Sequence, residues 1–280
     1  MPTDVRRAAI AGKPVAHSLS PVLHQAAYDA LGLNMTYSRL EASESELPTL
    51  VATLDESWVG LSVTMPGKRA ALELATVATA RARAVGAANT LVRKEDGWAA
   101  DCTDIDGVAG ALRAVGCVSA TTGVVLGAGG TACAALAGLA SLGVSSATVV
   151  VRDVAKASSA VNCGAALGLA VSPVSWAAAD FSVLSASASV LVNTTPPAAV
   201  APLIADLSLA PCVLDVIYHP WPTPLATAVA ERGGVLATGL DMLLHQAFGQ
   251  VEQFTGRSAP REAMRDALRA ATGGILPLPL

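Results

Sequence analysis

Three glycines fall within four positions in the stretch VVLGAGGTA, residues 124–132. Gly127-x-Gly129-x-x-Ala132 follows a β-branched run and opens an Ala/Leu run. Bare backbone in that context permits a tight strand-to-helix turn and lets the amides at a helix start close on a pyrophosphate. Without a ligand the same residues make only a turn. A carboxylate at the end of the next strand suits the ribose 2′-hydroxyl of NAD, and a cation suits the 2′-phosphate of NADP. The chain there reads VVVRDVAK, with Arg152 and Lys156 as cations and Asp153 as a carboxylate between them. The cations favour NADP, and Asp153 is the competing ribose ligand. A second set of polar residues stands in the first hundred: Ser18, Ser20, Ser62, Thr64, Lys68, Asn89, Asp101 and Asp104. Singly each has a plain reading, such as Ser20 as a helix cap, Lys68 on a solvated helix or Asp104 as an N-cap. Together they form four polar corners, as a small polar ligand requires.

The elements that must position these residues follow from periodicity and punctuation. RAAIAG, TYSRLE and VGLSVT read as strands, and KPVAHSLSP as a loop into the helix PVLHQAAYDALG, with Ser20 as N-cap and Pro21 as first helical residue. ESELPTLVATLD reads as helical, MPGKRAALELA as a turn and a helix, and ANTLVRKEDGWAAD as a hairpin about Glu95-Asp96-Gly97. Beyond the helix DIDGVAGALRAVG, no charge occurs between Arg113 and Arg152. That window exceeds the length of a membrane span, but its Gly, Ser and Thr residues cut it into GVVLG, TACAALAGLASLG and ATVVV, a buried βαβ unit. GLAVSPVS, SVLVNTTPP, PCVLDVIY and GGVLAT continue the series as strands.

The 280 residues suffice for one large α/β domain or two smaller ones, and 52% of them are apolar. A net charge of −4 without a basic cluster speaks against nucleic acid as a partner. The odd count of five cysteines, with no C-x-x-C pair, fits reduced thiols in a cytoplasmic protein without a metal site. MPTDVRRAAIAG has no apolar core of leader length.

AHSLSP, SVTMPGK, GAANTL, DCTDIDG, GAGGTA, NTTP, DVIYHPWPTPL and GLDMLLHQAF occur in that order. The pattern resembles the shikimate dehydrogenases from about Ile10 to Gly256. The resemblance implies an α/β substrate-binding lobe of residues 1–104 and 240–280. A Rossmann-like NADP-binding lobe with a parallel sheet spans 105–239. It implies NADP-linked interconversion of 3-dehydroshikimate and shikimate in aromatic amino-acid biosynthesis, by a monomer or a homodimer. Its implied catalytic pair is Lys68 and Asp104. Ser18 and Ser20 match the serines on the substrate carboxylate. Thr64, Asn89, Asp104, Tyr218 and Gln246 match further substrate contacts. Gly127, Ala128, Gly129 and Gly130 match the phosphate loop, Arg152 matches the 2′-phosphate site with Lys156 near it, and Gly239 and Met242 match positions beside the nicotinamide. The chain departs from the pattern at Ser62 and Cys102, where asparagine is common. It departs again at Val151-Arg152-Asp153, where Asn-Arg-Thr is usual. A quinate relative using NAD and a non-catalytic nucleotide-binding regulator of the same fold are the alternatives. A lysine ammonium can protonate the oxygen on which charge develops as a ketone takes up hydride, and a neighbouring carboxylate can orient it.

Overall fold

The structure is a computed structural model that describes residues 5–280; Met1–Asp4, the start of the stretch read for a leader, lie outside the described residues. The chain divides into two compact units. One holds the residues up to Thr103 together with 244–278 and Leu280, and the other holds 104–243 and Pro279.

The first unit is an α/β layer. Its elements are β1 (Arg6–Gly12), α1 (Ser20–Ala30), β2 (Met35–Glu41), α2 (Leu47–Ala52), β3 (Trp58–Val63), α3 (Lys68–Leu74), β4 (Val77–Ala78), α4 (Ala80–Val85), β5 (Thr90–Lys94) and β6 (Gly97–Asp101). The sheet runs β2-β1-β3-β5-β6-β4. β1 pairs in parallel with both β2 and β3, while β5 and β6 form an antiparallel hairpin. Leu47, Leu61, Leu91 and Trp98 anchor the core beneath it. Gly60 is a packing requirement, because a Cβ there would collide with the ring of Phe254.

The second unit follows with α5 (Asp104–Ala114), β7 (Thr122–Leu126), α6 (Gly130–Ser141), β8 (Ser146–Val151), α7 (Ser158–Ala166), β9 (Ala170–Ser175), α8 (Phe181–Ser187), β10 (Val190–Asn193), α9 (Pro197–Val200), α10 (Ile204–Leu207), β11 (Cys212–Asp215), α11 (Pro224–Glu231) and β12 (Val235–Thr238). The chain ends with α12 (Gly239–Thr255) and α13 (Arg261–Ala271). All six strands of the second sheet are parallel, in the order β12-β11-β10-β7-β8-β9. This is the doubly wound order, with its reversal between β7 and β10. Nearly every residue of β7, β10 and β11 is buried, as expected for strands covered on both faces. The uncharged window from Arg113 to Arg152 is therefore a βαβ core. Among the described residues no helix is long and apolar enough to cross a membrane.

Several local expectations need correcting. Ser20 is not the N-cap of α1 but its first helical residue, because Leu19 already has helical backbone angles and makes no side-chain cap. The hydroxyl of Ser18 instead accepts from the Ser20 N–H at 3.2 Å. Only Leu47–Ala52 of the ESELPTLVATLD stretch is helical; ahead of it, Glu46 Oε2 accepts from Ser43 N–H at 2.8 Å. β4 and α4 had no counterpart in the sequence reading. Their signals were Thr79, whose hydroxyl caps Ala82 N–H, and Gly86, whose left-handed backbone closes the helix.

Candidate functional site

The residues that the sequence offers as a nucleotide site gather at the carboxyl edge of the second sheet. Strand register sets Asn193 beside Leu126, Leu126 beside Val150 and Ser175 beside Val151. Thr194 and Gly127 therefore follow side by side at that edge, and Arg152 and Trp176 one residue further along their strands. Gly127 has φ of +106°, and a Cβ on it would lie 2.6 Å from Thr194 Oγ1, so both conformation and space demand glycine. Gly129 precedes α6 as its N-cap and has open space where a side chain would stand. A turn without side chains at Gly127 and Gly129 thus opens onto the amides of a 12-residue helix, beginning at Gly130.

That edge borders a cleft of about 920 Å³, lined among others by Gly127, Ala128, Arg152, Lys156, Trp176 and Thr195. Arg152 and Lys156 are exposed and supply positive charge. Asp153 also lines the cleft, but its Oδ1 accepts from Ala155 N–H at 3.0 Å and caps a short 3₁₀ turn. One oxygen of the carboxylate that the sequence left as a rival ribose ligand is thus engaged by its own backbone. The two cations fit a phosphorylated dinucleotide. Trp176, packed on Phe181 with ring centroids 5.0 Å apart, was not singled out from sequence. Its signal was its position, one residue past β9 as Arg152 is one past β8.

Below the cleft a buried carboxyl organises two loops. Asp215 accepts from Asn193 Nδ2 at 3.0 Å, Thr223 Oγ1 at 2.7 Å and Ile217 N–H at 3.2 Å. Asn193 Oδ1 in turn accepts from Thr195 N–H at 3.0 Å and Thr195 Oγ1 at 2.7 Å. NTTP and DVIYHPWPTPL are thus joined by one side chain. Burial pushes the Asp215 carboxyl above the usual range, against the lowering effect of Thr223, Ile217 and Asn193. Gly239 is buried, and a Cβ on it would strike the Val216 carbonyl; Met242, one turn on, is buried too. Tyr218 is half-buried, and desolvation pushes its phenol up, so it stays protonated. Asp104 is buried at the start of α5.

In the first unit, Lys68 is the first residue of α3 and half-buried, and Thr64 is half-buried just past β3. Ser18 is half-buried while Ser20 is buried. Asn89 and Gln246 are brought together, with Asn89 Nδ2 donating to Gln246 Oε1 at 3.1 Å. Thr103 joins them by accepting from Asn89 Nδ2 at 2.9 Å, and its N–H donates to Asn89 Oδ1 at 2.7 Å. Ser62 is turned inward. Its hydroxyl accepts from Tyr37 at 2.6 Å and donates to Gln250 at 2.7 Å, so it is a link in the interior. Thr103, Tyr37 and Gln250 were not singled out from sequence; for Gln250 the signal was its spacing of four from Gln246 on one helix face. Asp101 is likewise structural. Burial raises its carboxyl, but the Arg81 guanidinium and the Thr79 hydroxyl outweigh burial and hold it low.

Comparison with known proteins bears on both units. The family model described as the shikimate dehydrogenase substrate binding domain matches residues 10–91, and that of the shikimate 5′-dehydrogenase C-terminal domain matches residues 239–269. A shikimate dehydrogenase (NADP(+)) of Synechocystis is 35% identical, over 92% of this chain and 93% of its own length. The structure of Mycobacterium tuberculosis shikimate dehydrogenase is 53% identical, with a TM-score of 0.90 over 95% of this chain and 99% of that one. The Thermus thermophilus shikimate 5-dehydrogenase in complex with NADP(H) and shikimate is 29% identical, with a TM-score of 0.82 over 95% of this chain and 99% of that one.

Proposed function

The chain belongs to the shikimate dehydrogenase family, and on that premise we propose that it is an NADP-dependent oxidoreductase interconverting 3-dehydroshikimate and shikimate, a step towards chorismate and the aromatic amino acids. The observation that carries the cofactor half is the cleft at the switch point. Arg152 and Lys156 line it, and its carboxylate Asp153 is folded back onto Ala155 N–H.

In this reading the amides of Gly127, Ala128, Gly129 and Gly130 hold the pyrophosphate, and Arg152 with Lys156 holds the 2′-phosphate through charge-assisted hydrogen bonds. Gly239 keeps its backbone within reach of the nicotinamide, with Met242 as an apolar wall. When bound, the dinucleotide supplies or accepts the hydride. The hydroxyls of Ser18 and Ser20 hold the substrate carboxylate, and Thr64, Asn89, Gln246 and the protonated Tyr218 bind the ring oxygens. Lys68 Nζ donates a proton to the carbonyl oxygen as charge develops there, and takes it back in the reverse direction. The Asp104 carboxylate orients that ammonium and a substrate hydroxyl. The substrate unit is assigned to residues 1–104 and 240–280, the cofactor unit to 105–239, and the enzyme works in the cytoplasm as a monomer or a homodimer.

The test is an absorbance assay of reduced nicotinamide with purified protein, offering shikimate or quinate with NADP⁺ or NAD⁺. Fastest turnover per unit Michaelis constant with shikimate and NADP⁺ supports the reading. Preference for quinate, preference for NAD⁺, or no turnover overturns it.

A further inference from the structure

The first unit contains a chain of buried side chains whose hydrogen bonds all run in one direction, and two backbone groups dictate that direction. Gln250 Nε2 donates to the Asn89 carbonyl at 3.0 Å. A carbonyl only accepts, so the nitrogen of that amide must face it. Gln250 Oε1 therefore faces the other way, where Ser62 Oγ lies at 2.7 Å and His24 Nε2 at 3.2 Å. An amide oxygen cannot donate, so Ser62 and His24 must both give it their hydrogens. His24 is thereby fixed as the Nε2–H tautomer. Ser62, having spent its hydrogen, accepts from the Tyr37 hydroxyl at 2.6 Å.

The second fixed point is the Thr103 N–H, which donates to Asn89 Oδ1 at 2.7 Å. A backbone N–H only donates, so the Asn89 oxygen must face it and Asn89 Nδ2 must face Gln246 Oε1. Thr90 joins the two halves: its hydroxyl accepts from Gln250 Nε2 at 3.1 Å and donates to Asn89 Oδ1 at 2.9 Å. The Gln246 amide nitrogen is then on the side away from Asn89. Among the described residues only Arg93 Nε and Ser185 Oγ are buried side-chain polar atoms without a partner, and neither belongs to this chain.

We infer that Gln250, backed by Ser62, His24 and Tyr37, is a positioning residue that braces the Asn89 backbone and, through the Thr90 hydroxyl, holds the Asn89 and Gln246 amides in the orientation that the Thr103 N–H dictates, the orientation they present to the substrate. The inference rests on the proposed assignment of Asn89 and Gln246 to the substrate site. Gln250 itself is 1% exposed and lies one helical turn beyond Gln246. The departure at Ser62 belongs to the same device. A small hydroxyl there both accepts from Tyr37 and donates to Gln250.

Gln250→Glu isolates polarity from packing. A protonated carboxyl keeps most of the wild-type pattern: its single O–H donates to the Asn89 carbonyl and its C=O accepts from Ser62 and His24, while the second donation, to Thr90 Oγ1, is lost. An ionised carboxylate presents an acceptor to the Asn89 carbonyl and breaks the chain, and burial raises the pH at which it ionises. The titratable groups facing this position are His24 and Tyr28 of α1 and Tyr37 of β2. Desolvation holds His24 down to about 3 and pushes both tyrosines up, so none of them titrates near neutrality.

The experiment measures the Michaelis constant for shikimate against pH in wild type and Gln250→Glu, with the NADP⁺ dissociation constant measured alongside. Expected is a variant-to-wild-type ratio that is lowest at the acid end, where only the donation to Thr90 is missing. The ratio should climb about tenfold as pH rises, as loss of a hydrogen bond worth about a factor of ten implies, with NADP⁺ binding unmoved. A ratio that is flat with pH overturns the inference, as does a parallel loss of NADP⁺ affinity. If Gln250→Glu does not fold, Ser62→Ala removes one donor to Gln250 and should raise the shikimate constant several-fold at unchanged turnover; an unchanged constant overturns the inference. Wild-type protein that neither binds nor turns over shikimate overturns the proposed function and this inference together, whereas an active wild type with a flat ratio overturns the inference alone.

Discussion

The two units each bury a polar network beneath their candidate site, and the networks are built from different chemistry. In the first unit neutral amides, hydroxyls and a neutral imidazole pass hydrogens along a chain from Tyr37 to Gln246. In the second a single carboxyl, Asp215, gathers three donors and through Asn193 steadies Thr195 at the edge of the cleft. A neutral chain controls direction, because reversing any member leaves two acceptors or two donors face to face. A carboxyl accepts from every side and controls only place. A substrate rich in hydroxyls needs direction; a phosphate, all acceptor, needs donors held in place.

If the units divide the work in this way, changes in one should move substrate terms and changes in the other cofactor terms. The largest effect belongs to Lys68→Ala. Loss of a general acid should lower turnover by about 10²–10⁴-fold, while NADP⁺ affinity, measured by titration of protein fluorescence, stays near wild type. A fall in both would break the division.

Asp215→Ala should come next. It removes the acceptor of two buried donors and one half-buried donor at a residue 1% exposed, at a cost of about 3 kcal/mol in unfolding free energy. Denaturant melts measure that cost. NADP⁺ affinity should fall in the folded variant because Thr195 loses its anchor, while the Michaelis constant for shikimate changes less.

Much of this was legible in the sequence. The parallel sheet followed from continuous apolar runs separated by helices, and the glycine loop from its place between a strand and an Ala-rich helix. What sequence could not supply was the use of short polar side chains. Ser62 reads as a strand-end ligand residue and proves to be an interior link, because only the fold brings Tyr37 and Gln250 to either side of it. Asp153 reads as a possible ribose ligand, and only its own backbone turn shows where the carboxylate goes. Ser20 reads as a cap, yet the helix begins at that residue because Leu19 already curls. Asn193 and Asp215 fell inside recognised motifs, but their joint role needed the adjacency of β10 and β11.

Arg152→Ala sharpens the comparison on the cofactor side. A charge-assisted hydrogen bond to a phosphate is worth about ten- to a hundredfold in affinity. NADP⁺ binding should weaken by about that factor, with NAD⁺ binding and the shikimate constant nearly unchanged. Equal weakening of both dinucleotides would mean that Arg152 supports the loop and does not contact the 2′-phosphate.

The smallest effect concerns acid, where the networks should tilt in opposite directions. His24 is fully buried and stacked on Tyr37, with centroids 4.0 Å apart and planes 15° apart. Desolvation, only partly offset by the Gln250 hydrogen bond, pushes it from 6.5 down to about 3. In the unfolded chain it titrates near 6.5, so below that pH the unfolded state binds a proton that the folded state refuses. The neutral imidazole therefore contributes stability above about pH 6.5, and that contribution is lost progressively as pH falls towards 3. Asp215 has the opposite sign. Its folded carboxyl is raised above 3.8, so its contribution is full below that pH and is lost as pH rises through the raised value. His24→Phe keeps a stacking ring and removes the titration. At pH 7.5 wild type should melt higher, because Gln250 Oε1 keeps both its donors. Between about pH 6.5 and 5 that lead should shrink, since only wild type has an imidazole to protonate on unfolding. Paired thermal melts across that window measure it. A lead that stays constant would mean that the first unit's network tolerates a charged imidazole, and the contrast with the carboxyl-centred second unit would then rest on hydrogen-bond direction alone.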